Sequence, residues 1–246
     1  MTQLTIKEWQ VILKKSIHNA DRQTSKLSGF YKEVFGLTSP RIKDLLNNIC
    51  DHESVKYLEM GVFRGSTLIA ASVNDSKISY GIDNFSYSPY DAAIWNKDGW
   101  PSIKRAAKDN IERARIEKKV KIIQSDVRDT LSTLGKVIPD KINVVFCDLT
   151  HIKPEELMIA LKQAHSTTEN LYVLLVGLYV DSDYRKTTQQ FIKDNKLTVH
   201  FEEKLLSEGR ANNNGWYGGI GLFLLEKPQP IIKGGPLYAA PPKNKG

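Results

Sequence analysis

The sequence predicts an α/β fold: a mostly parallel seven-stranded sheet covered by helices on both faces, with an antiparallel C-terminal hairpin and an N-terminal helical cap. Three observations predict it. From residue 55 onward, short apolar runs alternate with stretches of helical length, as in strand–helix–strand units. The last two apolar runs follow one another with no helix between them, as antiparallel neighbours do. Residues 1–50 show helical spacing and no strand. The chain therefore divides into a helical cap (1–54), a sheet domain (55–227) and a tail (228–246).

In the cap, Ile6, Trp9, Ile12, Leu13 and Ile17 recur at helical spacing. Ser39 before Pro40 reads as an N-cap with proline at the first helical position, opening an amphipathic stretch through Ile42, Leu45, Leu46 and Ile49. The sheet domain opens on the strand VKYLEMG and the helix STLIAASV, followed by the strand KISYGID. A polar stretch from Asn84 to Pro101 leads into a charged helix from Ser102 to Lys119. VKIIQSD is a strand, DTLSTLG a short helix and INVVFCD a strand; PEELMIALKQAHSTT is a helix opened by Pro154. LYVLLVGLYV and DYRKTTQQFIKDN give another strand and helix, and LTVHFEEKLL and GGIGLFLLEK the closing strands, joined by a long loop over 206–217. The tail, with five prolines and three glycines, is expected to be extended or disordered.

Composition bounds the function. The 246 residues are 41% hydrophobic and 26% charged, which suits one globular domain with a real core. No apolar run is long enough to span a membrane, and the N-terminus lacks the apolar core of a signal peptide, so a cytoplasmic location is the expectation. Cys50 and Cys147 are far apart, without metal-ligand spacing, and read as buried small hydrophobes. Net charge is +7, but Lys227, Lys233, Lys243 and Lys245 all follow Glu226, the last acid, leaving +3 on the first 226 residues. Nucleic acid is therefore a disfavoured partner, although basic balance is what such a partner would need. The N-terminal helices and the tail are candidate surfaces for a homo-oligomer.

Chemistry concentrates at strand ends. In Glu59-Met-Gly-Val-Phe-Arg-Gly-Ser-Thr67, glycines at 61 and 65 allow positive φ between a strand and a helix start near Ser66. Free amides at that helix start favour a nucleotide or anionic group; the alternative is a tight turn with no ligand. Asp83, 24 residues after Glu59, is placed to accept from a ribose diol, or else serves a turn. Ser125-Asp126-Val127 is placed to meet an adenine amino group and ring nitrogen, or again to form a turn. The conjunction of acids at successive strand ends marks one crevice.

These segments resemble a known family. YLEMGVFRGSTLIAA resembles motif I of class I S-adenosylmethionine-dependent methyltransferases, in the branch of small-molecule and macrolide-sugar O-methyltransferases, where E-x-G-x-x-x-G-S is typical. YGIDNFS resembles the ribose motif, IIQSDVRDTL the adenine motif, VVFCDLTHIKPEEL the motif usually reading F-x-D-G-x-H, and GWYGGIGLFLLEK the closing strand. The resemblance covers residues 55–227 and implies a Rossmann-like methyltransferase fold with S-adenosyl-L-methionine as cofactor. It places Glu59, Gly61 and Gly65 around the methionine moiety, Asp83 at the ribose, and Asp126 with Val127 at the adenine. Val62, Arg64, Ser66, Asn84, Ser125 and Asp148 complete the expected cofactor set. Arg64 either meets the cofactor carboxylate or faces solvent.

The implied reaction is methyl transfer to a small-molecule hydroxyl, with a sugar or glycosylated metabolite as a candidate acceptor. Metal-dependent members add an Asp-Asp pair at the end of the next strand. Here the corresponding positions are near Gly177-Leu178, with Asp181 and Asp183 further along, so no metal site is expected. His151 is the candidate general base, with a helix-capping histidine as the alternative, and Asp148 is expected to face the sulfonium or orient the acceptor. Tyr87, Tyr90, Trp95 and Trp100 in the polar stretch, and Asn212 to Asn214, are candidate substrate walls or loop anchors. No N-P-P-Y or D-P-P-Y motif of amino methylation occurs. A binding protein that has lost transfer chemistry is the first alternative reading, and a nucleic-acid methyltransferase, suggested by the basic balance, is the weaker second.

Overall fold

The computed structural model describes residues 3–86, 102–126, 134–149, 152–206 and 215–229. Seven strands form one sheet: β1 (Lys56–Met60), β2 (Ile78–Asp83), β3 (Val120–Gln124), β4 (Ile142–Cys147), β5 (Thr168–Val176), β6 (Thr198–Leu205) and β7 (Ile220–Glu226). Their order is β3-β2-β1-β4-β5-β7-β6. The first five in that order run parallel, and β7 is antiparallel to both β5 and β6. The winding reverses between β1 and β4, and in open α/β sheets such a reversal is where a ligand crevice forms beyond the carboxyl ends of the strands.

The closing hairpin is as expected, but its second strand lies inside the sheet and its first at the edge. The physical reason is in the residues. β7 (IGLFLLE) is buried on both faces, whereas β6 (TVHFEEKL) is largely exposed, so only β6 tolerates an edge.

Alternate residues of each strand enter opposite halves of the core. Tyr57, Val144, Phe146, Val173 and Leu222 pack on one face with Trp9, Leu13, Leu45 and Ile111. Leu58, Met60, Val145, Cys147 and Phe223 pack on the other with Leu157, Leu161 and Phe191. The cap thus shares the core of the sheet through Trp9 and Leu13, each side chain worth about 1.5–3 kcal/mol of buried apolar surface. Both cysteines are buried, and burial pushes the Cys147 thiol up to about 12.

The cap holds α1 (Ile6–Asp21) and α3 (Pro40–Ile49), the two expected stretches, with a short α2 (Phe30–Glu33) between them. Left-handed Gln23 (φ 52) and Gly29 (φ 49) lie between α1 and α2. Thr5 and Glu8 form a reciprocal capping box on α1, and Ser39 caps α3 ahead of Pro40 as expected. Next come α4 (Ser66–Ser72) and α5 (Ile103–Arg113). α5 ends before the expected Lys119, because Arg115 turns left-handed (φ 56) and lets Ile116 bury. The remaining helices are α6 (Leu134–Val137), α7 (Pro154–Thr167) and α8 (Ser182–Asp194). No helix of the described residues is long and apolar enough to cross a membrane.

Candidate active site

Strand register brings the expected segments together. Met60 lies opposite Ile82 and Cys147, and Asp83 opposite Gln124. The ladder continues one residue past each strand: Gly61 N donates to Ile82 O (2.9 Å), Ser125 N to Asp83 O (3.1 Å) and Asp148 N to Met60 O (2.9 Å). The motif I turn, Asp83, Ser125 and Asp148 therefore border one edge of the sheet.

Asp83 is the hub of this edge. Its Oδ2 accepts from the amides of Val62 and Phe63, both at 2.7 Å, and its Oδ1 from the amide of Phe85 at 2.6 Å. A carboxylate has about four acceptor sites, so three are engaged by backbone. The sequence offers two roles for this acid, a ribose contact or a turn. The described bonds show the second: Asp83 holds the motif I turn through the Val62 and Phe63 amides. Beyond Asp83, Asn84 Nδ2 donates to Asp126 Oδ2 at 3.1 Å, which links the ends of β2 and β3. Asn84 Oδ1 accepts from Ser86 N and Oγ.

Glu59 is buried within β1. It accepts from Tyr57 Oη at 2.6 Å and from Thr67 Oγ1 at 2.9 Å, fastening α4 to the sheet below the turn. Sequence reasoning missed both partners. Tyr57 shares a strand face with Glu59 by the two-residue period, a usable signal; Thr67 gave none. Burial pushes the Glu59 carboxyl up to about 8 from 4.5. An acid whose pKa is raised on folding binds a proton in the native state that the unfolded chain has released, so stability falls as pH rises from about 4.5 to about 8. The slope from one such group reaches about 1.4 kcal/mol per pH unit. Glu59→Gln is expected to flatten the stability profile across that window in urea unfolding at several pH values. Parallel profiles for the two proteins would mean that Glu59 ionises normally.

Gly61 and Gly177 shape the space around Asp148. A Cβ on Gly61 (φ +96) would lie 2.2 Å from the Asp148 carbonyl oxygen, and one on Gly177 would lie 2.3 Å from Asp148 Oδ1. The Asp148 carboxyl thus rests on the backbone of Gly177, which itself donates from N to Cys147 O. Desolvation pushes this carboxyl up to about 7; no hydrogen bond or ion pair from the described residues reaches it. After Asp148, the Leu149 carbonyl accepts from Tyr184 Oη at 2.7 Å. Leu149 and Ile152 both pack against the core.

Arg64 is 5% exposed, which removes the solvent-facing alternative. Its guanidinium stacks on Phe35 and Phe63, 5.3 and 5.4 Å from the ring centroids. Ser66 turns its side chain to the cap rather than the crevice and donates to Val34 O at 2.9 Å. Gly65 supplies the left-handed residue before α4 (φ +81). Of the other expected residues, Val127 and the candidate base His151 lie outside the described residues, as do Thr150, the aromatics of 87–100 and Asn212 to Asn214.

Asp181 caps α8, its side chain accepting from Asp183 N; both acids lie beyond the end of β5. No group of three or more His, Cys, Asp or Glu suited to a metal ion occurs among the described residues. Other histidines are engaged elsewhere: His52 with Ser54, His165 with Tyr172 and His200 with Glu226.

No protein-family model matches the sequence, and no curated protein matches it. Solved structures do match. One is an O-methyltransferase from Bacillus cereus in complex with SAH (TM-score 0.57, 14% identity, 90% of this chain and 100% of that one). Another is the O-methyltransferase TomG from Streptomyces achromogenes, involved in tomaymycin synthesis, in complex with SAM (0.54, 16%, 87% and 89%). A third is cofactor-bound Rv0187 from MTB (0.54, 16%, 92% and 100%). With the strand order and the antiparallel β7, these likenesses give the chain a Rossmann-like methyltransferase fold.

Proposed function

We propose that this chain is an S-adenosyl-L-methionine-dependent methyltransferase acting on a hydroxyl of a small molecule, with a sugar or glycosylated metabolite as the favoured acceptor class. The observation that carries the reading is the convergence of Asp83, the Asn84–Asp126 bridge and Asp148 along the carboxyl ends of neighbouring strands. Such an edge is rich in acceptors and negative charge. It fits a cofactor that presents a ribose diol, an adenine amino group, an ammonium and a sulfonium. When bound, S-adenosyl-L-methionine supplies an electrophilic methyl group.

The chain's own residues would do the rest. Asp83 accepts from the ribose with its remaining acceptor site and keeps the turn in shape. Asn84, Ser125, Asp126 and Val127 frame the adenine. Gly61 keeps the turn close to Asp148, and a bound cation beside the Asp148 carboxyl favours its ionised form. Glu59, Gly65, Ser66, Val62 and Arg64 act beneath this layer by fixing the turn. His151, between the anchored Leu149 and Ile152, takes the proton of the acceptor hydroxyl. His151→Ala is then expected to lower turnover by about 100-fold or more, with SAH affinity by calorimetry within twofold. Undiminished turnover would remove His151 from the reaction.

One observation favours a second reading, a cofactor-binding protein without transfer chemistry: Gly177, not an acid, faces Asp148. Cofactor binding with no methyl transfer across a broad panel of hydroxylated acceptors would favour it.

A further inference from the structure

The sheet has a second chemically distinctive end. β1, β2 and β4 begin where β7 finishes, because β7 runs antiparallel to its neighbour β5. Lys56 opens β1, Lys77 and Lys141 precede β2 and β4, and Lys227 follows β7. These four lysines line one polar cavity of about 590 Å³. At about 3.3 Å of rise per strand residue, the five residues of β1 separate this cavity from the crevice by about 15 Å.

The charge in the cavity is unbalanced. Glu169 is the one acid among the described residues that line it, and it already accepts from Lys56 Nζ (3.5 Å) and Gln3 Nε2 (3.0 Å). The side chains of Lys77 and Lys141 make no hydrogen bond or ion pair among the described residues. Lys227 Nζ is fixed by donating to the carbonyls of His165 (2.9 Å) and Thr168 (2.8 Å), leaving one ammonium proton for a ligand. Burial, then the nearby Lys141 ammonium, hold the Lys227 amine down to about 8. Like charges placed together without a counter-charge disfavour each other, and a bound anion reverses that.

We propose that this cavity is a binding site for a phosphorylated small molecule, its phosphoryl group held by Lys77, Lys141 and Lys227. Lysine ammonium groups serve as point charges for phosphate. The volume, far larger than one phosphate requires, lies in the usual range of metabolite pockets, roughly 300–1,000 Å³. The site is independent of the proposed methyl transfer, since it shares no residue with the crevice.

The test is calorimetric titration of the full chain with inorganic phosphate, pyrophosphate and glucose 6-phosphate. Pyrophosphate is expected to bind more tightly than phosphate, and glucose 6-phosphate at least as tightly as phosphate. The double variant Lys77→Gln/Lys141→Gln should weaken all three by tenfold or more, with SAH titration and circular dichroism unchanged. Both lysines are exposed, so the variant keeps the fold. A control, Lys108→Gln/Lys186→Gln, removes two lysines elsewhere and should bind as the native chain does. No binding at millimolar ligand, or equal binding by the double variant and the control, would overturn the site. So would displacement of pyrophosphate by a single-stranded oligonucleotide with a steep salt dependence, which would mark a nucleic-acid surface instead.

Discussion

Gly61→Ala is expected to lower Tm by roughly 10 °C and to abolish SAH binding. Two costs add at this position. The first is the backbone: φ is +96, and a side chain there costs about 1–3 kcal/mol. The second is contact, because the new Cβ would meet the Asp148 carbonyl oxygen at 2.2 Å. That atom is backbone, tied in place by the bond from Asp148 N to Met60 O, so it cannot rotate away. Either the turn or the end of β4 must move, and both border the proposed cofactor crevice. Gly65→Ala is the informative comparison. Its φ is +81, but nothing lies closer than 3.8 Å to the added atom, so only the backbone cost applies. Thermal unfolding with and without SAH measures both variants. Equal Tm values for the two alanine variants would show that the approach of Asp148 to Gly61 is not a structural constraint.

Asp83→Ala should weaken SAH binding by about 100-fold and cost roughly 3 kcal/mol of stability. The carboxyl takes three backbone amide bonds, from Val62, Phe63 and Phe85. Leaving partly buried amides without acceptors costs about 1–3 kcal/mol each when water cannot replace the partner. A loss of some 3 kcal/mol in cofactor contacts corresponds to about two orders of magnitude in affinity. Asp83→Asn keeps one oxygen and should fall between. Calorimetry separates the roles: if Asp83 serves only the turn, stability falls in Asp83→Ala while SAH affinity at full folding stays native. An unchanged protein on both counts would deny the acid either role.

Most strands were legible because each is a short apolar run closed by a polar or glycine residue, as in KYLEM and INVVFC; the expected strand LYVLLVGLYV is the exception, since β5 stops at Val176 and Leu178 turns left-handed (φ 54). Strand polarity also carried the information for the edge: the exposed pattern of β6 and the buried pattern of β7 decide which lies outside. Helix ends were less legible. The stop after Arg113 depends on a left-handed arginine at 115, a conformation that arginine does not advertise. At the site, residue types at strand ends marked the crevice, yet not which lone pairs the backbone occupies. Asp83 and Glu59 therefore read as ligand contacts, whereas their described bonds hold the turn and α4. The basic cavity left no sequence signature. Its lysines, at 56, 77, 141 and 227, come from four segments that only the strand order collects, and Lys227 counted with the tail lysines.

The seat of Asp148 on Gly177 also restricts the order in which substitutions could alter this chain. An acid at 177 would place its Cβ 2.3 Å from Asp148 Oδ1, so the mutation collides with the carboxyl it would need as a partner. Leu178, left-handed at φ 54, sits at the other position. A two-carboxylate pair at this strand end is therefore not one step away. Asp148 must first adopt another rotamer, and Gly177→Asp alone should be worse than the same change made after Asp148→Ala. The effects of the two substitutions are therefore expected to be coupled, because one side chain must vacate the space that the other needs.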